Sequence, residues 1–522
     1  MTSMNGSAND VSETTRLLGV APEQHEEPNH EYEGPAKLQA RKVLILLGIT
    51  IVTIGFGSSL SLAPQIQIME QILCERHRSA GVSQTPLEGG SMPDCKSDDI
   101  QSELALLIGW ADFWHQVPGI ILALPYGFAA DRIGRKPVMV LSFIGLLLED
   151  VGVRLICWRS ASIPIETIWA MPVFQLLGGG GQIASSMILT MVSDVFPGSQ
   201  RSSIFFILYA CILLGEIVAT PLSALAMSWT PWFPFLAGLA VESLGLMTAL
   251  IVPETMPANP TQPTDSNSQQ ASLEPPESPT PANWMQRLKQ KCLSLRQHAH
   301  GHQVKVIVNV LLVIASFLLA SIGNEAVRFV VQYASKKFSW DVARSSLLIT
   351  IKGIINFGAL LFLLPQISSV MKRYMSSVRA DFIIVQGSVC LLMFGTAVMA
   401  FSQHPGGFIF GIICFALGWG YYAALRSVAI SLVLPSQTGA LNTAIALVQS
   451  FGVMSSGPVL AFAFRRGISM GGVWMGLPYM VVSLLFVGAG LLVIGISLPR
   501  QDDQARRDAG ETDRGSATCH DP

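Results

Sequence analysis

The chain is a series of long apolar runs separated by short polar breaks. Twelve runs reach the roughly 20 residues a helix needs to cross a bilayer. They lie near 43–64, 102–126, 137–158, 167–192, 203–227, 232–252, 305–330, 343–364, 380–401, 408–434, 442–464 and 473–498. In lipid every backbone N–H and C=O must be satisfied within the segment, so runs of this length are read as helices. The third and seventh runs carry charges, and the fourth contains Gly178, Gly179, Gly180 and Gly181. The predicted fold class is an all-α integral membrane protein with twelve transmembrane helices.

The polar breaks divide the chain unevenly. Residues 1–42 are polar, acidic and rich in Ser, Thr and Pro, with no apolar signal-peptide core. They are predicted to be a disordered cytosolic tail. The longest internal break, 253–304, separates six runs from six. Its first part, Pro253 to Pro281, holds 8 prolines and reads as a disordered linker. Further on, Trp284, Leu288, Cys292 and Leu295 recur at helical spacing with Arg287, Lys289 and Lys291 between them. That stretch is either an amphipathic helix on the cytosolic membrane surface or a solvated basic segment. The expected organisation is a six-helix unit over 43–252, a cytosolic linker over 253–304, a second six-helix unit over 305–498 and a cytosolic tail over 499–522.

Composition agrees with this pattern. Half of the 522 residues are hydrophobic, 13% are charged and the mean hydropathy is +0.47. Soluble domains carry about 25% charged residues. A net charge of −2, with scattered basic residues, argues against a nucleic-acid partner. With the N-terminus in the cytosol, the inner segments hold more than twice as many of the 33 Lys and Arg residues as the outer loops. The positive-inside rule therefore places both termini in the cytosol. Cys74 and Cys95 bracket one outer loop, where a disulfide is able to persist, although spacing does not fix the pairing. There is no C-x-x-C, no Cys/His cluster at zinc spacing, no GxxxxGK[ST] loop and no nucleophile–base arrangement. An enzyme is not expected, nor are a metal, a cofactor or catalytic residues.

The break between the second and third runs is too structured for an ordinary basic turn. It reads Gly127-Phe-Ala-Ala-Asp131-Arg132-Ile-Gly134-Arg135-Lys136-Pro137. Gly127 permits close approach of a neighbouring backbone, Gly134 a tight turn, and Pro137 suits the first turn of a helix. Asp131 is placed to accept hydrogen bonds from the exposed N–H groups of another helix's N-terminus. This loop resembles the G-x-x-x-D-R-x-G-R-K signature of the major facilitator superfamily, and it stands at the family's position within a 6+6 plan. The resemblance covers roughly 43–498. It implies two six-helix bundles that rock about a central site. It also implies that Gly127, Asp131, Arg132, Gly134, Arg135 and Lys136 form a conformational latch. Asp131 would then engage the second half and stabilise the outward-facing state. Pro253-Glu254-Thr255 and Ser193-Asp194 look like fungal members. Gln175 stands where proton-coupled drug exporters usually carry an Arg.

Ionisable residues at bilayer depth are costly and usually face a partner or a cavity. Asp112 and His115 on the second run either handle a proton or form a structural pair. Glu149 and Asp150, Glu216, Glu242 and Glu325 are further acids within spans. Asp112, His115, Glu149, Glu216, Glu242 and Glu325 are the proton-coupling candidates. Gln175, Arg328, Lys352, Asn356, Trp419, Tyr422 and Gln449 are the substrate-cavity candidates. Glu325 and Arg328 are spaced to pair with each other, and Trp110, Trp114 and Tyr421 join the aromatics that shape a pocket or anchor at the interface.

In the N-terminal tail, Glu13, Leu17 and Leu18 fit an acidic dileucine sorting signal that an adaptor would read. The expected protein is a secondary transporter of a small organic molecule. Proton-driven export of a drug-like compound or secondary metabolite at the plasma membrane is the first reading. Proton-coupled uptake, or vacuolar transport, of a nutrient or organic anion is the second, and a non-transporting receptor the third. The expected partners are a small-molecule substrate, protons and the bilayer, and the expected state is a monomer.

Overall fold

The computed structural model describes residues 34–79, 95–196, 198–256, 301–433 and 438–497. These residues form twelve membrane-length helices, and no strand occurs among them. The first six are α1 (Gly34–Ser79), α2 (Asp98–Ile133), α3 (Arg135–Trp158), α4 (Ile165–Val195), α5 (Gly198–Met227) and α6 (Trp232–Ile251). The second six are α7 (Val306–Lys337), α8 (Val342–Tyr374), α9 (Ser377–Phe401), α10 (Pro405–Leu432), α11 (Thr438–Met470) and α12 (Gly472–Ile494). Ten of them are apolar enough by composition to cross a membrane. The other two, α2 and α3, have the length but carry Asp112, His115 and Gln116, or Glu149, Asp150 and Arg154. Large apolar side chains such as Ile121, Leu124, Leu484 and Leu491 are exposed. Such a surface belongs in lipid rather than water.

α1 is longer than its apolar run. Gln65, Gln67 and Glu70 dilute the hydropathy after Pro64, yet the helix continues to Ser79. Ile66, Ile68, Met69 and Leu73 are buried there, so packing carries the helix past the end of the apolar signal. α4 is broken where the glycines fall. Ile165–Leu176 is a 3₁₀ segment, Gly178, Gly179 and Gly180 take φ of +101°, +81° and +72°, and an α-helix resumes at Gly180–Val195. Residues with a Cβ rarely adopt that backbone. α7 and α10 contain 3₁₀ turns at Glu325–Phe329 and Gly418–Gly420, and α8 contains a π turn at Ala359–Leu363.

The helices form two six-helix bundles. In the first, α1 packs on α5 and α6, and α3 on α4 and α6; in the second, α9 packs on α10 and α12, and α7 on α11 and α12. The halves meet along α2 against α11 and α5 against α8. The two ends of the molecule differ. The end with the α2–α3 turn is the loop face; the end where α1 stops and α2 starts is the disulfide face. The apolar core of the first half at the loop face, including Val43, Leu47, Met139, Met191 and Val252, contains residues of that half alone. At the disulfide face one cluster joins Met69, Leu104 and Phe235 of the first half to Val331, Val342 and Ile349 of the second. There the backbones come very close: a Cβ on Gly109 would lie 2.6 Å from the Gly457 carbonyl and 2.6 Å from the Ala461 Cβ. The halves are thus sealed at the disulfide face and apart at the loop face.

Of the predicted segments, the tail over 1–33, most of the linker (257–300 of 253–304), including the stretch from Trp284 to Arg296, and residues 498–522 lie outside the described residues. So do Glu13, Leu17 and Leu18.

Candidate functional site

A cavity of about 740 Å³ lies between the halves. Ser185 and Leu189 of α4, with Phe205, Tyr209 and Ile212 of α5, line one wall. The other wall comes from α7, α8, α10 and α11, chiefly Asn324, Leu360, Trp419, Tyr422 and Gln449. The irregular turns in α7, α8 and α10 fall at this wall, next to Asn324, at Leu360 and at Trp419. The α4 and α5 residues belong to the loop-face ends of their helices, so the cavity sits where the halves are apart. No Asp, Glu, Lys or Arg lines it among the described residues. Its polar groups are hydroxyls, amides and the indole of Trp419. Trp419 and Tyr422 meet at 5.7 Å between ring centroids, and the Tyr422 hydroxyl donates to the Ala320 carbonyl at 2.7 Å. The size suits a drug-sized molecule.

Of the predicted cavity residues, Trp419, Tyr422 and Gln449 line this space, and Arg426 reaches Gln449 Oε1 at 3.2 Å. Gln175, Arg328, Lys352 and Asn356 do not line it. Gln175 is buried and bonded to His115 and Glu149. Arg328 and Lys352 pair with acids, and Asn356 is buried with neither amide atom bonded among the described residues. Tyr421 turns into the core of the second half and bonds Ser316. Trp110 and Trp114 flank Phe113 edge-to-face on the outside of α2. Periodicity alone does not show which side of a helix faces inward when both sides are apolar, which is why these assignments scattered.

The intramembrane charges gather into three groups beyond the cavity wall. In the first, Glu149 of α3 meets His115 of α2 (Oε1 to Nδ1, 2.9 Å) and Gln175 of α4, whose amide also lies 2.8 Å from His115 Nδ1. The broken α4 backbone brings Gln175 into this place. Glu149 is nearly buried, while about two-fifths of the His115 side chain stays accessible. In the second group, Arg328 of α7 reaches across to Asp112 of α2 at 3.2 Å and pairs with Glu325 at 2.6 Å. The other carboxylate oxygen of Asp112 is buried and accepts no hydrogen bond among the described residues. In the third, Lys352 of α8 contacts Glu216 of α5 at 3.3 Å, again between halves, and stands over the Trp419 ring. Glu242 is elsewhere, buried near Asp150 and Arg154 between α1, α3 and α6.

At the loop face, Asp131 bonds Arg135 on its own half. Arg135 Nε also lies 3.6 Å from Asp194, and Thr255 contacts Asp194 at 3.4 Å. Among the described residues Asp131 makes no contact with the second half; the engagement that the resemblance implies belongs to the outward-facing state. Nor does Gly127 have a backbone against it: a Cβ there would meet open space. Arg132 is exposed, and Lys136 contributes its backbone. Sequence reasoning gave no role to the residue that holds this turn. Glu254, just past α6, accepts the N–H groups of Arg135 and Lys136 at 3.0 and 3.1 Å and so caps the N-terminus of α3. Gly134, at φ +107°, leaves room for it, since a Cβ would collide with the Glu254 carboxylate. Partial burial pushes the Glu254 carboxyl up. The N–H groups of Met256, Arg135, Lys136 and Thr255 outweigh that and hold it below the usual range. The available signal was the Pro253-Glu254-Thr255 ending.

At the disulfide face, Cys74 and Cys95 are joined. Lys96 follows and bonds Glu70 of α1 at 2.7 Å.

Comparison with known proteins agrees with the fold. A family model described as Major Facilitator Superfamily matches residues 45–457. The chain is 30% identical to the MFS efflux pump atnC of Emericella nidulans, over 92% of each chain. It is 28% identical to the efflux pump ustT of Aspergillus flavus, over 89% of this chain and 90% of that one. Its fold resembles the crystal structure of the human organic anion transporter MFSD10 (TETRAN), with a TM-score of 0.53, 16% identity and coverage of 87% and 99%. The twelve-helix architecture, the seam between its halves and the match across most of the chain lead to one assignment: the protein is a multi-pass membrane transporter that belongs to the major facilitator superfamily.

Proposed function

We propose that the protein exports an uncharged, largely apolar small molecule, of the secondary-metabolite class, by proton-driven alternating access. The observation that carries the reading is the charge-free cavity at the loop face. A substrate with a net charge would meet no counter-ion on the lining itself, where Gln449 and Trp419 stand in front of Arg426 and Lys352, and would lose its hydration on entry. This favours a neutral cargo over the organic anion or charged nutrient of the alternative reading. The names of the Emericella and Aspergillus relatives support the export direction.

Cargo and protons have separate places in this scheme. The cavity takes the cargo, and the His115–Glu149–Gln175 group beside it takes the proton through the accessible edge of His115. Asp112 and Arg328 tie that group to the opposite half, so a proton that neutralised Asp112 would weaken a contact holding the disulfide face shut. In this reading the loop face is cytosolic, which follows the positive-inside count, and the membrane is the plasma membrane. The Gly127–Lys136 loop is released in the present inward-open state and engages the second half when the cavity opens outward.

The test is transport in inside-out vesicles with an imposed pH gradient and a neutral aromatic dye as probe. Acidification of the lumen should stimulate uptake, and a protonophore should abolish the stimulation. Glu149→Gln should lose the gradient response while retaining dye exchange, which needs no net proton movement. Flux indifferent to gradients of either sign would remove proton coupling from the proposal.

A further inference from the structure

The disulfide does more than close a loop. Glu70 and Cys74 stand four residues apart on α1 and so share one face of that helix. Cys95 and Lys96 are adjacent. The covalent bond Cys74–Cys95 and the ion pair Glu70–Lys96 therefore run side by side, and together they dock the start of α2 onto one stripe of α1. Glu70 is almost wholly buried and also accepts the Gln101 amide.

The same short segment is what the second half grips. Lys96 Nζ donates to Ser335 of α7 as well as to Glu70. Lys336 of α7 donates back to the Lys96 carbonyl and pairs with Asp98 at 2.6 Å. One turn earlier, Gln332 donates to the Gln101 carbonyl at 2.9 Å. Lys96 thus bonds both halves with one ammonium group, and does so here with the disulfide face closed.

We infer that Lys96 is the clasp of the disulfide-face gate, and that the Cys74–Cys95 bond is its positioning element. This rests on the alternating-access reading above. Contacts present in one state and absent from the other set the balance between them. The closed gate gains the Lys96–Ser335 and Lys336–Lys96 bonds. The disulfide makes these contacts cheaper to form, because the residues that bear them are already held against α1. Cleavage of the bond frees the start of α2 from its covalent tie to Cys74 and leaves its docking on α1 to non-covalent contacts, among them those of Glu70 with Lys96 and Gln101. The gate should then open more often, with reducing conditions on that face biasing the transporter away from the inward-open state.

Hydrogen–deuterium exchange on the full-length protein in lipid nanodiscs tests this without using transport as its readout. Tris(2-carboxyethyl)phosphine is the reductant; with one water it becomes the phosphine oxide and leaves Cys74 and Cys95 as two thiols. Reduction should raise exchange in peptides covering 95–101 and 330–337 by about fivefold or more, the scale of a typical coupling between sites. Cys74→Ser/Cys95→Ser should do the same without reductant. Lys96→Met, which keeps the stem and removes the charge, should raise exchange at 330–337 by itself, and reduction should then add nothing there. If reduction acted as strongly at 330–337 in Lys96→Met as in the parent, the disulfide would not work through Lys96. Exchange rising evenly across all twelve helices would make it a general brace and overturn the inference. An exchange result as expected, together with flux that ignored pH gradients, would leave the clasp standing and remove only the proton reading.

Discussion

Glu254 shows how much one carboxylate does at a helix end. It lies outside the membrane segments, meets the exposed N–H groups at the start of α3, and is held below the usual Glu range by them. A group whose folded value is depressed stabilises above its unfolded value, near 4.3, and loses that contribution as pH falls through the folded one. Glu254→Gln should therefore cost about 0.3–1 kcal/mol at neutral pH, the scale for a charge at a helix terminus. Thermal melts of the two proteins should differ at pH 7 and converge as pH drops below the ordinary Glu range. The cavity offers a second residue-scale test. Trp419→Ala removes an aromatic wall worth about 1 kcal/mol, so the dye's KM should rise about fivefold with little change in the maximal rate. Both positions illustrate what sequence carried. Trp419 was identifiable as a mid-span aromatic on α10. Glu254 was not, because its role depends on a helix 119 residues away from it in the chain.

At the scale of the element, the irregular stretches matter more than the regular ones. Apolar run length predicted the twelve helices well, since the bilayer sets that length. It missed the extension of α1 beyond Pro64, where packing replaces hydropathy, and it could not show that Gly178–Gly180 open α4 and turn Gln175 inward. The mid-span acids were visible as a list, whereas their sorting into His115–Glu149, Asp112–Arg328 and Lys352–Glu216 is long-range and was not. The contact of α2 with α11 yields a direct prediction. Gly109→Val places atoms where the Gly457 carbonyl already sits, so the disulfide face cannot close fully. Dye flux should fall by about tenfold or more, as expected when a transport state is lost. Peptides from α2 and α11 should exchange deuterium faster while α9 and α12 keep their protection.

For the whole molecule, the contrast between its two ends is what the proposed alternating-access cycle rests on. Packed apolar contact across the seam at one face and a charge-free cavity lining at the other fit one state of that proposed cycle. The apolar runs and the 253–304 break gave the 6+6 plan and one decapeptide the family resemblance, but neither said which state would be seen. The self-contained core at the loop face has a further consequence for how the protein is made. Val43, Met139, Met191 and Val252 need nothing from beyond α6 to pack. The first bundle is therefore able to consolidate at its loop-face end while the ribosome is still translating the second, and its disulfide-face end waits for a partner. Two polypeptides divided between residues 256 and 301 and expressed together should find each other in the membrane and regain dye transport. The first piece made alone in nanodiscs should keep its amide protection at the loop-face end and exchange deuterium faster along α2, a half-built transporter whose unfinished side marks where its other half will land.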